Sequence, residues 1–347
     1  MQQAISRVAV ETKSILVALL VLMFSITVLA SLVWFAGLEF TDTGAFGSTV
    51  STSLALVITM SFVGGYLWQK PKNTSRLRRF NFYVNMTFLS ISHGAVAFLL
   101  GMAATSIASH YTPTITMNPL FMSSIIAFVL SAGAYAMYSH AAFMSASRLA
   151  GLYVVFIAAG ALASMLTSQN TTWLQHHFSA LGAGDSVSSY AFNLTMIVGG
   201  FLMVALSDYL VMDIEQIKRN HQLHKKIRMN FLRVVFVVVG VCSIGIGIFP
   251  YDKFLLVHNI FANAMTISFI ALVVSIPWTV PMFSKPFIVQ SYVIVSIAAA
   301  VYAQFFVGDL NILIIELIDA ALLFMWMILF VRQIAAIRLD QPTLPAS

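Results

Sequence analysis

The sequence predicts an all-α fold, a polytopic transmembrane bundle of about ten spanning helices. Three observations predict it. Of 347 residues, 60% are hydrophobic and 9% are charged, against about 45–50% and about 25% in soluble domains. A chain so poor in charge cannot cover a water-facing surface, and lipid is its natural solvent. Ten stretches reach the roughly 20 apolar residues that a spanning helix needs. Finally, the basic residues fall in alternate connections between those stretches.

Taken in chain order, the expected spans are 15–37, 49–69, 81–108, 119–140, 149–167, 189–212, 231–249, 257–276, 287–307 and 310–332. The first is too long for a removable signal and leads into no soluble domain. Together they read as a single transmembrane domain over 1–347. Cytoplasmic loops retain Lys and Arg. With the N-terminus inside, seventeen of the eighteen basic residues lie inside and only Lys253 lies outside. The expectation is therefore a multi-pass protein of the cell membrane with both termini cytoplasmic. The net charge of +6 follows from this topology and does not point to nucleic acid. The lone Cys242, in an apolar run, excludes an intramolecular disulfide and reads as a small packing residue.

Two connections are longer than a turn. The outer one, 168–188, holds Trp173, His176, His177 and Gly184-Asp185. The inner one, 213–230, starts Asp213-Ile214-Glu215-Gln216 and reads as a short amphipathic helix on the membrane surface, its basic residues near anionic headgroups.

Ionisable groups inside hydrocarbon are costly and so mark candidate sites. Glu316 and Asp319 are three residues apart in the last span and share a helix face. No Lys or Arg is expected at their depth, and two close carboxylates without a cation tend to share a proton. The pair reads either as a proton or cation site or as a pair of interhelical hydrogen bonders. His93, among Ser90, Ser92 and Gly94, reads as an interhelical hydrogen bonder or as a ligand or proton carrier, and Asp208 as a partner of Arg233 or of another base at the inner edge. The densest polar patch is Gly247-Ile248-Phe249-Pro250-Tyr251-Asp252-Lys253, followed by His258, Asn259 and Asn263. Asn259 and Asn263 are four apart and share a face. The patch reads as a substrate or headgroup pocket, or as a hairpin in which Asp252 caps the following helix and pairs with Lys253.

Those last residues carry a resemblance. Gly-Ile-Phe-Pro at 247–250, then Asp252, His258-Asn259 and Ala262, resemble the signature turn of a bacterial polytopic membrane family related to the DRAM/Frag-type proteins. The likeness is close over this turn and loose over the last six spans, and the first four spans have no counterpart. It implies a multi-helix membrane protein with a polar site near one face, Asp252 and His258 being the motif residues, and a link to lipid remodelling or membrane organisation. It implies no particular reaction.

No nucleotide-binding loop, no His-Glu-x-x-His and no Lys within a late span suited to retinal is present. The residues thus call for no metal and no cofactor, and they favour a non-enzymatic role without deciding it. The leading expectation is a transporter or permease-like protein built around the carboxylate pair. The alternatives are a lipid-binding or lipid-remodelling protein and a non-catalytic subunit of a membrane complex. Expected partners are membrane lipids, a small solute or a lipid as ligand, and either a second copy or another subunit, but no nucleic acid.

Overall fold

The fold was examined in a computed structural model, which describes residues 6–36, 45–71, 75–111, 119–168, 171–220, 228–308 and 311–339. The chain is all-α and forms two compact units, Met1–Met144 and Ser145–Ser347. In the first, α1 spans Arg7–Ala36, α2 Ala45–Tyr66, α3 Arg76–Tyr111 and α4 Pro119–Ala142. In the second, α5 spans Ala146–Thr167, α6 Val187–Asn220, α7 Met229–Ile248, α8 Leu255–Thr279, α9 Lys285–Val307 and α10 Ile312–Leu339. All ten are long and apolar enough to cross a membrane. Each unit has one end rich in Lys and Arg, its basic end, and an opposite, far end.

The helices overrun the apolar stretches at the basic end. α1 starts at Arg7, and α6 and α10 run on to Asn220 and Leu339. Lys, Arg, Gln and Glu are good helix formers, so the backbone ladder continues where hydropathy falls. Asp213–Asn220 is therefore the last part of α6 and not a separate surface helix, and 221–227 lie outside the described residues.

In the first unit α2 lies between α3 and α4, and α1 rests on α4. Packing is set by small residues, as expected where lipid gives helices no hydrophobic reason to associate. A Cβ at Gly65 would come within 2.1 Å of the Tyr138 carbonyl oxygen. Hydroxyls bond locally or across the interface, as where Ser14 donates to Val10 O at 2.9 Å and Ser131 of α4 donates to Ala18 O of α1 at 2.8 Å, whereas the buried Ser123 hydroxyl of α4 has no partner among the described residues.

In the second unit α6 packs against α5, α7 and α10, and α8 and α9 complete the set, touching each other sparsely. α6 and α7 cross at Gly200 and Gly240, where a Cβ on either would lie 2.4 or 2.6 Å from the other's carbonyl oxygen. Ser243 of α7 donates to Met196 O of α6 at 2.8 Å. Deeper toward the basic end, Trp326 of α10 stacks on Phe330, meets Phe269 of α8 edge-on, and donates from Nε1 to Ser291 Oγ of α9 at 2.9 Å. The outer surfaces are apolar, as at Phe24, Leu166 and Ile267, a pattern that suits acyl chains and not water.

Candidate functional site

The site is built at the far end of the second unit. Between α5 and α6 the chain makes two 3-10 turns, Thr171–Gln175 and Phe178–Gly182. This segment is pinned from several elements. Asn311, ahead of α10, donates from Nδ2 to Leu174 O at 3.1 Å. The Phe178 amide donates to Glu316 Oε2 of α10 at 2.5 Å. Asn193 of α6 donates to Gly182 O at 3.0 Å. Gly184, whose φ of 76° suits a residue without Cβ, presents its amide to Asp252 Oδ2 at 3.0 Å. Lys253 Nζ lies 2.9 Å from Asp185 Oδ1, and this hydrogen bond holds its ammonium above the usual lysine range.

The α7–α8 joint supplies the other wall. Phe249 O accepts from His258 Nδ1 at 2.8 Å. A carbonyl only accepts, so Nδ1 carries a proton. His258 is buried, and the Tyr251 ring lies 6.0 Å from it and 4.0 Å from His177. Burial first, then the neighbouring His176 and His258, pushes His177 below the ordinary histidine range. Phe249, Asp252 and His258 of the sequence motif thus form one joint. Asp252 does not cap α8, however. That cap is Phe254 without a side-chain bond, and Asp252 and Lys253 go to the cap segment instead of to each other.

Below the cap lie the α10 carboxylates. Glu316 holds the Phe178 amide, and Asp319, one turn deeper, has a buried Oδ1 with no hydrogen-bond partner among the described residues. The two are close enough to interact electrostatically. Asn259 and Asn263 share a face as expected, but it is an exposed face of α8, away from buried His258.

The remaining candidates sit elsewhere. Asp208 is ion-paired with Arg233 at 2.6 Å. In the first unit, buried His93 donates from Nδ1 to Leu89 O at 2.8 Å, stacks on Phe62 at 4.5 Å and meets His140 edge-on at 5.5 Å. His140 is thus half-buried beside His93. Sequence reasoning missed Asn311, His177, Tyr251 and the Phe178 amide as members of the cap. Gly184-Asp185, a turn signal beside a carboxylate, was the one hint. Among the described residues no group of three or more His, Cys, Asp or Glu is arranged to hold a metal ion.

Fold and site together define a multi-pass integral membrane protein of the all-α class. Compared with known proteins, the chain matches no family model, no curated protein and no solved structure.

Proposed function

We propose that this protein is a transporter in which the second unit couples movement of a small solute to a proton or cation at Glu316 and Asp319. One observation carries the reading: a carboxylate oxygen of Asp319 is shielded from solvent and has no partner among the described residues, one turn below a carboxylate that accepts the Phe178 amide of the far-end segment. A buried acid without a donor is costly. A proton or a cation removes that cost, so either is the ligand such a group selects. The same event reaches the cap. Proton uptake at Glu316 weakens it as an acceptor for the Phe178 amide and so favours release of 171–186. Ligand binding at one place then shifts a two-state element at another, which is what coupling requires.

The test uses purified protein in liposomes of phosphatidylethanolamine and phosphatidylglycerol. A pH step is imposed and lumenal pH is followed with pyranine while small solutes are added in turn. Solute-dependent proton entry is expected from the wild type and is lost in Glu316→Gln/Asp319→Asn. Flux unchanged by the double substitution rejects the role of the pair.

A second reading, lipid handling at the far leaflet, is favoured by exposed Asn259 and Asn263 on α8, amides in a position where only a polar lipid group or another helix can satisfy them. Asn259→Ala/Asn263→Ala should then lower lipid retention in native mass spectrometry, and unaltered retention counts against it.

A further inference from the structure

In the first unit α1 and α2 hardly touch; both rest on α4, and between them runs an open slot of about 360 Å³. Its walls are Val17, Val21 and Phe24 of α1 and Leu56 and Met60 of α2, and Tyr138 of α4 lies at its basic-end floor. From the α1 spacing, Lys13, Val17, Val21 and Phe24 fall on one helix stripe. Lys13 is exposed at the mouth, its Nζ 4.8 Å from the centre of the Trp68 ring. Trp68 in turn donates from Nε1 to Tyr138 Oη at 3.0 Å. One continuous chain of contacts thus leads from an apolar slot to an ammonium. Lys70, also exposed, follows two residues later and lies over Tyr83. The one carboxylate near this mouth, Glu11, is engaged by the Tyr135 hydroxyl.

Length and girth identify the occupant. On α1 the lining residues run from Val17 to Phe24, about 10 Å at 1.5 Å per residue, so the slot lies within one leaflet of a hydrocarbon core of roughly 30 Å. A spanning helix about 10 Å across and about 30 Å long occupies roughly 2,400 Å³, so a partner helix does not fit in 360 Å³ and a stretch of a single acyl chain does. The Lys13 ammonium at the mouth selects the charge of the headgroup, since basic pockets between membrane helices bind anionic lipid headgroups.

We infer that the slot between α1 and α2 is a binding site for an anionic phospholipid of the leaflet facing the basic end, one acyl chain lying along Val17–Phe24 and the phosphate meeting Lys13. It is independent of the carboxylate pair and of the transport reading.

The test is competition between phosphatidylglycerol and phosphatidylcholine of identical chains, loaded onto the full-length protein from mixed detergent micelles and counted by native mass spectrometry. Wild type should retain phosphatidylglycerol preferentially. Lys13→Gln should cut the preference about fivefold, the effect of roughly 1 kcal/mol per basic residue, and Lys70→Gln, whose ammonium lies over Tyr83 of α3, should cut it less. Leu56→Trp/Met60→Trp, which adds bulk to two exposed wall residues, should abolish retention of the tightly held lipid with the lysines intact. Glycerol phosphate, a headgroup without chains, should fail to displace it. Equal retention of both lipids, a preference unchanged in the lysine variants, retention unaffected by the tryptophans, or displacement by glycerol phosphate would each overturn the proposal. If the tryptophan variant does not fold, photo-crosslinking of wild type with diazirine-acyl phosphatidylglycerol decides instead. Label on Val17–Phe24 or Leu56–Met60 supports the site, and label confined to other helices overturns it.

Discussion

Within the second unit, the acids of α6 near the basic end and those of α10 toward the far end are treated in opposite ways. At the basic end, Asp213 of α6 is buried and bonded to Arg338 of α10 at 2.7 Å, and Asp208 is bonded to Arg233. Toward the far end, Glu316 and Asp319 of α10 have no salt bridge among the described residues; one accepts an amide and the other leaves an oxygen orphaned. The same helix, α10, thus carries a cation at one end and unneutralised acids toward the other. A paired carboxylate is part of the scaffold, because removing it strands a charge. An unpaired one costs stability and is by that cost a candidate for another task. The comparison also separates the predicted effects of substitution by sign.

The largest expected effect is on transport. Asp319→Asn should abolish solute-dependent proton entry in the liposome assay yet leave the unfolding midpoint in detergent unchanged or raised, since no partner is lost. A variant that unfolds early would make Asp319 a structural acid after all. Next in size is Arg338→Gln, which leaves Asp213 buried without its cation. Removing one partner of a buried pair costs roughly 3–5 kcal/mol. Because the Arg338 side chain is 28% exposed, the lower end, about 3 kcal/mol, is expected, read from equilibrium unfolding in mixed micelles. Flux per folded molecule should be retained. Asp208→Asn should do much less, about 0.5 kcal/mol, because Arg233 is 48% exposed and an open pair is screened. Equal losses from Arg338→Gln and Asp208→Asn would mean that burial does not rank these pairs.

The scaffold side of this contrast was largely legible in the sequence and the site side was not. Ten spans, their order and the pairing of Asp208 with Arg233 follow from hydropathy and from charges near one helix end. Span edges were short at the basic end because hydropathy stops at the first charge whereas the α1, α6 and α10 backbones do not. The cap escaped detection for a different reason. Its bonds join residues 138 apart (Phe178 to Glu316) and 68 apart (Gly184 to Asp252), and in three of its main links one partner is a backbone group. Backbone donors leave no trace in residue type. Asp252 and Lys253 looked like a local pair because they are adjacent, but the segment before α6 competed for both. Asn259 and Asn263 shared the predicted periodicity, which reports a common face and not which way it points.

The smallest predicted effect concerns how the cap responds to pH, and it probes the far end without touching the acids. The folded protein holds His177 below its ordinary value, so it resists a proton that the opened segment accepts. The sign follows from linkage: stability rises with pH wherever the open state binds more protons. Cap closure should thus be insensitive to pH well above about 6.5, the ordinary histidine value, and should weaken as pH falls from there until His177 itself protonates in the closed state. One proton limits the change to tenfold per pH unit. The groups facing His177 are His176, His258, Tyr251 and Ser179; none is anionic near neutral pH, so nothing there offsets the added charge. Hydrogen exchange at the Ala180 and Ala183 amides, which bond back to His177 O and Ala180 O, reads the opening directly once corrected for intrinsic rates. Protection should fall between pH 7.5 and 5.5 in the wild type and fall less in His177→Gln, where the Glu316 bond to the Phe178 amide is the remaining proton-sensitive link. A fall as large in His177→Gln as in the wild type would remove His177 as a sensor, and the two ends of α10 would then differ in proton binding as well as in pairing.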